Sequence, residues 1–235
     1  MIRMFAIFGG VLGAIALFFG HLGYYGGPIY VDGAATAPTP PGLRNSVAVL
    51  MSGDLGFNIG IGPQVARRLR ADGLPVVGVN SLTAFRHTRT PAQVQALVAD
   101  AVRHALIFAH ADRVILIGQS FGADMLHVGL TALPPALRAR VRLIVLIVPG
   151  ATVQFRASPS EVFTASAPAF DALPTARQLD WAPVLCVRGE KEDESLCPRI
   201  TAPDVHTVAL PGGHPLRRDA DAVHRVVIAA IRASV

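Results

Sequence analysis

The chain has 235 residues, of which 51% are hydrophobic and only 16% are charged. This composition excludes an intrinsically disordered chain, because the apolar surface is large enough to offset the ordering entropy. The 22 Gly and 18 Pro follow no period, which excludes a collagen-like protein. The formal net charge is +5, but the basic residues form short clusters rather than a tract, so no nucleic-acid partner is expected. The positive charge instead favours contact with an anionic lipid surface.

The first 44 residues have the composition of an export segment followed by a linker. Arg3 precedes an uncharged apolar run over residues 4–19, which is typical of a secretory signal and is almost long enough to span a bilayer. We therefore expect residues 1–25 to be a signal peptide or a membrane anchor. By the positive-inside rule the body of the protein then lies outside the cytoplasm, either free or anchored in the membrane. Residues 26–44 are rich in Pro, Gly and Ala and predict a linker, so the folded domain should cover residues 45–235.

Apolar runs alternate with helical patterns from residue 45 onward. Strands are predicted at 47–51, 75–79, 114–117, 143–148, 184–187 and 206–210. Helices are predicted over 63–70, 91–108, from Ala123, and over 220–231. Continuous Val/Ile/Leu strands separated by helices indicate an α/β fold with a mostly parallel sheet of about six strands and helices on both faces. Residues 151–180 remain to form a small cap.

One strand–turn–helix motif predicts the nucleophile. The third strand runs into Gly118-Gln-Ser120-Phe-Gly122, which is the G-x-S-x-G pattern of α/β-hydrolases in its required context. Such a turn exposes the serine hydroxyl at a helix amino terminus, where free N–H groups stabilise an oxyanion. We predict that Ser120 is a nucleophile and that the fold is of the α/β-hydrolase type. The alternative is a glycine-rich turn with a capping serine.

The base and the acid are expected after the nucleophile, in the order serine, acid, histidine. His214 lies in a Gly-rich loop just past the last strand, where the base belongs. The fifth strand leads into residues 190–194, which hold four carboxylates. Side-chain type favours Asp193 as the triad acid, while the distance from Cys197 favours Glu194 as the alternative. The rest of this run is expected to be a solvated loop.

The oxyanion hole and the substrate contacts are predicted from two loops. The backbone N–H of Phe121 should supply one donor, and the loop after the first strand, with Asp54 and Leu55, should supply the other. Asp54 and Asp124 are candidates for contacting a cationic substrate group. The alternatives are that Asp54 caps a turn and that Asp124 complements the helix dipole.

The two cysteines, Cys186 and Cys197, predict a disulfide that encloses the acidic run. An even cysteine count combined with an export signal favours a bridge, which persists in an oxidising compartment. The alternative is a pair of unrelated thiols. A spacing of eleven residues without a nearby histidine pair is not a zinc pattern, so no metal is expected. Acyl transfer by a serine triad needs no cofactor, and none is expected.

Five segments together resemble the bacterial virulence protein VirJ/AcvB family. They are Met51–Phe57, Ile117–Asp124, Leu133–Arg138, Gly189–Cys197 and Leu210–His214. The resemblance implies a periplasmic α/β-hydrolase with Ser120 as nucleophile, His214 as base and an acid in the Asp193 loop. It further implies hydrolysis of an aminoacyl phospholipid such as lysyl-phosphatidylglycerol, or an accessory role in type IV secretion with secretion-system partners. A general lipase or thioesterase acting on a lipid or other ester is the third hypothesis.

Overall fold

A computed structural model describes residues 2–157 and 169–234 of the chain. Its strands, in chain order, are β1 (Tyr30–Gly33), β2 (Ser46–Met51), β3 (Val76–Val79), β4 (Arg113–Gln119), β5 (Val141–Ile147), β6 (Thr152–Val153), β7 (Phe170–Asp171), β8 (Val184–Gly189) and β9 (Val205–Leu210). Its helices are α1 (Ile2–Leu22), α2 (Ile61–Ala71), α3 (Ser81–Ala84), α4 (Pro91–Phe108), α5 (Phe121–Leu130), α6 (Pro135–Arg138), α7 (Leu173–Ala176) and α8 (Ala220–Ala233).

Seven strands form one sheet in the order β1-β3-β2-β4-β5-β8-β9. All neighbours pair in parallel except β1, which runs antiparallel to β3 at the edge. The α/β-hydrolase fold class is confirmed, and the six predicted strands lie within about two residues of their expected bounds. The parallel arrangement places the carboxyl ends of β4, β8 and β9 at one edge of the sheet, and the loops that follow them meet there.

The central strands of the sheet are buried on both faces because most of their side chains are apolar. In β2, Val47 and Val49 point to the face covered by α4 and α5, while Ala48 and Leu50 point to the face covered by α2 and α8. All four side chains are at most 1% exposed. This alternation explains why the strands appear in the sequence as uninterrupted apolar runs.

Helix α4 begins where its sequence predicts. Thr90 accepts a hydrogen bond from the Gln93 N–H, and the Gln93 side chain accepts one from the Thr90 N–H, which completes a capping box. Pro91 occupies the first helical position, where its missing N–H costs nothing. The helix then buries the predicted stripe, which includes Val94, Val98 and Val102, against the sheet.

Two segments differ from the sequence expectation or extend beyond it. Residues 26–44, expected to be a linker, contain strand β1, which pairs from Tyr30↔Val79 to Gly33↔Val76. Of the predicted cap, the structure describes the two-stranded β6–β7 pair and α7, while residues 158–168 lie outside the described residues. Within the described part of the chain, no helix combines the length and the apolar character that crossing a bilayer requires.

Candidate active site

Ser120 occupies a nucleophile elbow, which we define as residues 118–124, between β4 and α5. Its backbone has φ 53° and ψ −125°, a left-handed conformation that non-glycine residues rarely adopt. The turn is tight because Gly122 lies against the carbonyl oxygens of Met51 and Ser52, where a Cβ atom would collide with backbone. The predicted strand–turn–helix context of Ser120 is therefore present in the structure.

The serine, a histidine and a carboxylate form one hydrogen-bonded line. The Ser120 Oγ lies 2.8 Å from His214 Nε2, and His214 Nδ1 lies 2.6 Å from Glu192 Oε1. The Glu192 side chain is only 6% exposed, whereas that of His214 is 49% exposed, so the carboxylate is shielded and the imidazole faces solvent. This is the arrangement in which a carboxylate orients an imidazole that accepts the serine proton.

The carboxylate beside His214 is Glu192, which corrects the expectation of Asp193 or its alternative Glu194. The chain turns back after β8, and the Glu192 N–H donates to the Gly189 carbonyl at 3.3 Å. This turn brings the longer glutamate side chain back over the strand end, where Oε2 accepts the Gly189 N–H at 3.0 Å. Asp193 and Glu194 follow the turn and are exposed to solvent.

The acid loop, residues 189–197, is held by contacts on both sides. The Lys191 N–H donates to the Gly212 carbonyl at 2.9 Å, which joins this loop to the loop of His214. The Ala151 N–H donates to the Glu194 carbonyl at 2.8 Å. Cys186 in β8 and Cys197 at the end of the loop form the predicted disulfide, with both residues buried.

One predicted oxyanion donor, Phe121, directly follows Ser120, and the loop after β2 bonds Gln119, which directly precedes Ser120. Phe121 begins α5, so its N–H belongs to the first turn, which has no intrahelical acceptor. The Gly53 N–H donates to Gln119 Oε1 at 3.2 Å, a contact that the sequence did not indicate. Asp54 and Leu55 are exposed at the centre of a turn closed by Gly53 and Gly56. Their role as second donor, and a substrate contact by Asp54, remain predictions.

Asp124, for which the sequence predicts either a substrate contact or a role at the helix amino terminus, is only 9% exposed. Its Oδ1 accepts the Gly150 N–H at 2.9 Å, so it connects the nucleophile helix to the loop after β5. Burial raises the pKa of this carboxyl well above its usual value, and the Glu192 charge raises it further, against the opposing effect of the Gly150 N–H. Asp124 is thus a structural link beneath the site.

Three other histidines have partners away from the catalytic line. His104 bonds Asp32 and His224 bonds Asp72, each at partly exposed positions. His127 is fully buried on α5, and burial lowers its pKa to about 3, so it stays neutral. These contacts and this burial are those of surface and structural histidines.

An acidic groove of about 560 Å³ opens beside His214. Its walls include Glu192, Asp193 and Glu194, and its basic lining side chains among the described residues are Lys191 and His214. The other side is formed by the backbone and small side chains of residues 150–152. A groove with three carboxylates next to the imidazole is suited to a positively charged group.

The sequence and the fold were compared with known proteins. The family model described as bacterial virulence protein (VirJ) matches residues 45–235. No curated protein matches the chain.

Solved structures similar to this chain have the α/β-hydrolase fold. Est1E from Butyrivibrio proteoclasticus has a TM-score of 0.64 at 12% sequence identity, covering 87% of this chain and 93% of that chain. An alpha-beta serine hydrolase homologue from Coxiella burnetii has a TM-score of 0.59 at 17% identity, covering 86% and 90%. XC6422 from Xanthomonas campestris, a serine hydrolase without lid, has a TM-score of 0.55 at 16% identity, covering 88% and 91%. At such identities the likeness establishes the fold alone.

Proposed function

The chain belongs to the VirJ family of bacterial virulence proteins, and we propose that it is a serine hydrolase that cleaves an ester through Ser120, His214 and Glu192. The observation that carries this proposal is the line of two short hydrogen bonds from the Ser120 Oγ through the imidazole to a shielded carboxylate. A purely structural serine at a helix start needs neither the left-handed backbone nor an oriented base.

The geometry supports a two-step acyl transfer. His214 Nε2 takes the proton of the Ser120 hydroxyl while Oγ attacks the ester carbonyl carbon, and Glu192 stabilises the imidazolium that forms. The oxyanion accepts hydrogen bonds from the Phe121 N–H and from an amide of the loop after β2. Collapse of the tetrahedral intermediate breaks the bond between the carbonyl carbon and the oxygen of the leaving alcohol. That oxygen receives the proton from His214. Water then attacks the acyl-serine with His214 as base, which releases the acid and restores the hydroxyl.

We infer that the ester carries a positively charged acyl group, as in an aminoacyl phospholipid. The acidic groove supports this inference, because Asp193 and Glu194 are exposed in it and a carboxylate pair next to the nucleophile attracts an ammonium. Lysyl-phosphatidylglycerol has such an acyl group. Asp193 and Glu194, which the sequence predicts as candidates for the triad acid, are therefore proposed as substrate contacts.

We further propose that the protein works in the periplasm, directed there by residues 1–25. The disulfide between Cys186 and Cys197 supports this location, since such bridges persist in oxidising compartments. Cell fractionation should recover the protein with periplasmic or membrane markers. Recovery with a cytoplasmic marker would contradict the location and leave the chemistry untouched.

Two matched substrates test the chemistry and the substrate class separately. Lysine ethyl ester and the uncharged ethyl hexanoate present similar chains with and without charge, and kcat/KM is measured for both. The Asp193→Asn/Glu194→Gln variant should lower the ratio of the two values roughly five- to tenfold, because two exposed charge contacts are lost. Glu190→Gln removes a charge from an exposed site outside the acidic groove and is the control.

Lysyl-phosphatidylglycerol vesicles are the physiological test of the same proposal. The wild type should release free lysine, and Ser120→Ala should release none. Simple ester hydrolysis without lysine release would contradict the substrate class, while failure to hydrolyse any ester would contradict the hydrolase itself.

A further inference from the structure

We propose that a second groove, on the same edge of the sheet as Ser120, binds a phosphate-class anion. This basic groove is a cavity of about 380 Å³ between residues 26–29 and residues 83–93. Among the described residues that line it, three side chains are basic, namely Arg86, His87 and Arg89, and none is a carboxylate. Guanidinium groups that converge in a concave site are the preferred protein ligands of phosphate.

Both guanidinium groups are held in place by backbone carbonyls. Arg86 Nη1 donates to the Tyr25 carbonyl at 2.9 Å, and Arg89 Nε donates to the Ala84 carbonyl at 2.6 Å. The Arg89 guanidinium also lies 5.6 Å from the centre of the Phe85 ring. Each group keeps further N–H donors for a ligand, so little side-chain freedom is lost when an anion binds.

A second arginine cluster differs from the basic groove in having a carboxylate within it. It lies at the opposite edge of the sheet, around the start of β4, and includes Arg113, Arg140 and Arg142. There Asp112 is part of the surface and pairs with Arg140 at 3.0 Å. Within residues 2–157 and 169–234, neither Arg86 nor Arg89 pairs with a carboxylate. Among the described residues, the basic groove therefore differs from the second cluster in that no carboxylate competes with a ligand anion for its arginines.

The groove reaches the nucleophile through a pair of aromatic rings. Phe85, which precedes Arg86, packs edge-on against Phe121 with ring centres 5.1 Å apart, and Phe121 follows Ser120. The basic groove is thus connected to Ser120 through Phe85 and Phe121, while the acidic groove lies beside His214. Phosphate binding in this groove does not depend on the proposed function. The assignment of that phosphate to a substrate does rest on the proposed function.

The phosphate group that binds in the basic groove can come from two sources, a phospholipid headgroup or free inorganic phosphate. Several described apolar side chains of α1, which ends at Leu22, and of the segment between α1 and residues 26–29 are exposed. Leu17 is 77% exposed, and Val11, Phe18 and Tyr25 are more than half exposed. Exposed apolar side chains next to a basic groove are suited to a lipid surface, so the experiment needs an arm for each source.

The full-length protein is titrated with inorganic phosphate in a calorimeter at low ionic strength, and its co-sedimentation with vesicles is measured. One set of vesicles consists of phosphatidylglycerol, and the other consists of phosphatidylcholine. The test variant is Arg86→Gln/Arg89→Gln, and Arg86→Gln alone spares the half-buried Arg89 in case the double variant is unstable. The control is Arg113→Gln/Arg142→Gln, which removes the same charge from the other cluster. Unfolding by urea verifies that each variant is folded.

The proposal predicts that phosphate affinity falls at least tenfold in the double variant and about threefold in Arg86→Gln, while the control stays within twofold of wild type. A parallel loss of binding to phosphatidylglycerol vesicles identifies the headgroup as the source, and loss for inorganic phosphate alone identifies free phosphate. No measurable phosphate binding by the wild type, or equal affinity in test and control variants, overturns the proposal. None of these experiments measures turnover, so their outcomes neither support nor contradict the hydrolase proposal.

Discussion

The nucleophile elbow and the acid loop contribute to the same imidazole, but they are positioned in different ways. The elbow is set by neighbours in sequence, since a buried strand, two glycines and a helix start fix the Ser120 backbone. The acid loop is set by distant partners, namely the loops at residues 150–151 and 212–214 and the disulfide to β8. The elbow can therefore be recognised from a short sequence motif. The sequence does not reveal which residue of the acid loop faces His214, because distant contacts hold that loop.

The largest expected effect comes from the hydroxyl at the centre of the elbow. Ser120→Ala should lower kcat/KM for ester hydrolysis by roughly 10³–10⁶-fold, because no other group forms the acyl intermediate. Steady-state kinetics on ethyl hexanoate measures it, with a urea unfolding curve to show that the variant is folded. Retention of more than a tenth of the wild-type rate would mean that the elbow is not the catalytic centre.

The next largest loss of activity distinguishes the carboxylates of the acid loop from one another. Glu192→Gln should lower kcat/KM roughly 10²–10⁴-fold, because a neutral amide neither orients His214 in the same tautomer nor stabilises the imidazolium. Glu190→Gln makes the same change two residues away on an exposed side chain and should stay within about twofold. Equal activity of the two variants would show that the carboxylate hydrogen-bonded to His214 is not the triad acid.

The sterics of the elbow should appear as a loss of stability. Gly122→Ala places a Cβ atom against two backbone carbonyls and should lower the free energy of unfolding by about 2–3 kcal/mol. Gly13→Ala is the control, because a Cβ there meets nothing within 4 Å on an exposed helix position. Urea unfolding with an unchanged slope measures both. If Gly122→Ala were as stable as Gly13→Ala, close backbone packing would not be what fixes the elbow.

The disulfide should stabilise the fold mainly through the acid loop. Cys186→Ala/Cys197→Ala should lower the free energy of unfolding by about 2–3 kcal/mol, the amount expected for a loop of this size. Reductant should reproduce the loss in the wild type and have no effect on the variant. Full alkylation of both thiols without reductant would show instead that the bridge is absent.

The smallest effect concerns Asp124, which joins the two regions through Gly150. Its folded-state pKa is raised by burial, so the unfolded chain releases this proton more readily and the carboxyl lowers stability as pH rises above about 4. Asp124→Asn keeps an oxygen for the Gly150 N–H without the charge. The difference in free energy of unfolding between Asp124→Asn and wild type should therefore grow from pH 4 to pH 8. A difference that is constant with pH would contradict burial of an ionisable group at this position.

Most of the architecture could be read from the sequence, because buried parallel strands are uninterrupted apolar runs. The motif around Ser120 and the loop position of His214 were also local signals, and the structure brings these two side chains together. Edge strand β1 was not foreseen, because four residues in a Pro- and Gly-rich stretch have no periodicity of their own. Their pairing depends on β3, which lies more than forty residues away.

The acid and the role of Asp124 could not be predicted for a related reason. Four carboxylates in five residues are equivalent by composition, and only the turn back to Gly189 selects Glu192. Asp124 appeared available for a substrate because it lies one turn after the nucleophile. Its burial depends on Gly150, which is distant in the sequence.

Covalent labelling with a fluorophosphonate tests the central claim most directly, since it reports the reactivity of the serine without any assumption about substrate. Mass spectrometry of the digested protein should find one phosphonyl adduct on the peptide that contains Ser120. Labelling should be abolished in His214→Ala and slowed at least a hundredfold in Glu192→Gln, but not in Glu190→Gln. An unlabelled Ser120, or equal labelling rates in Glu192→Gln and Glu190→Gln, would contradict a hydrolase built on Ser120, His214 and Glu192.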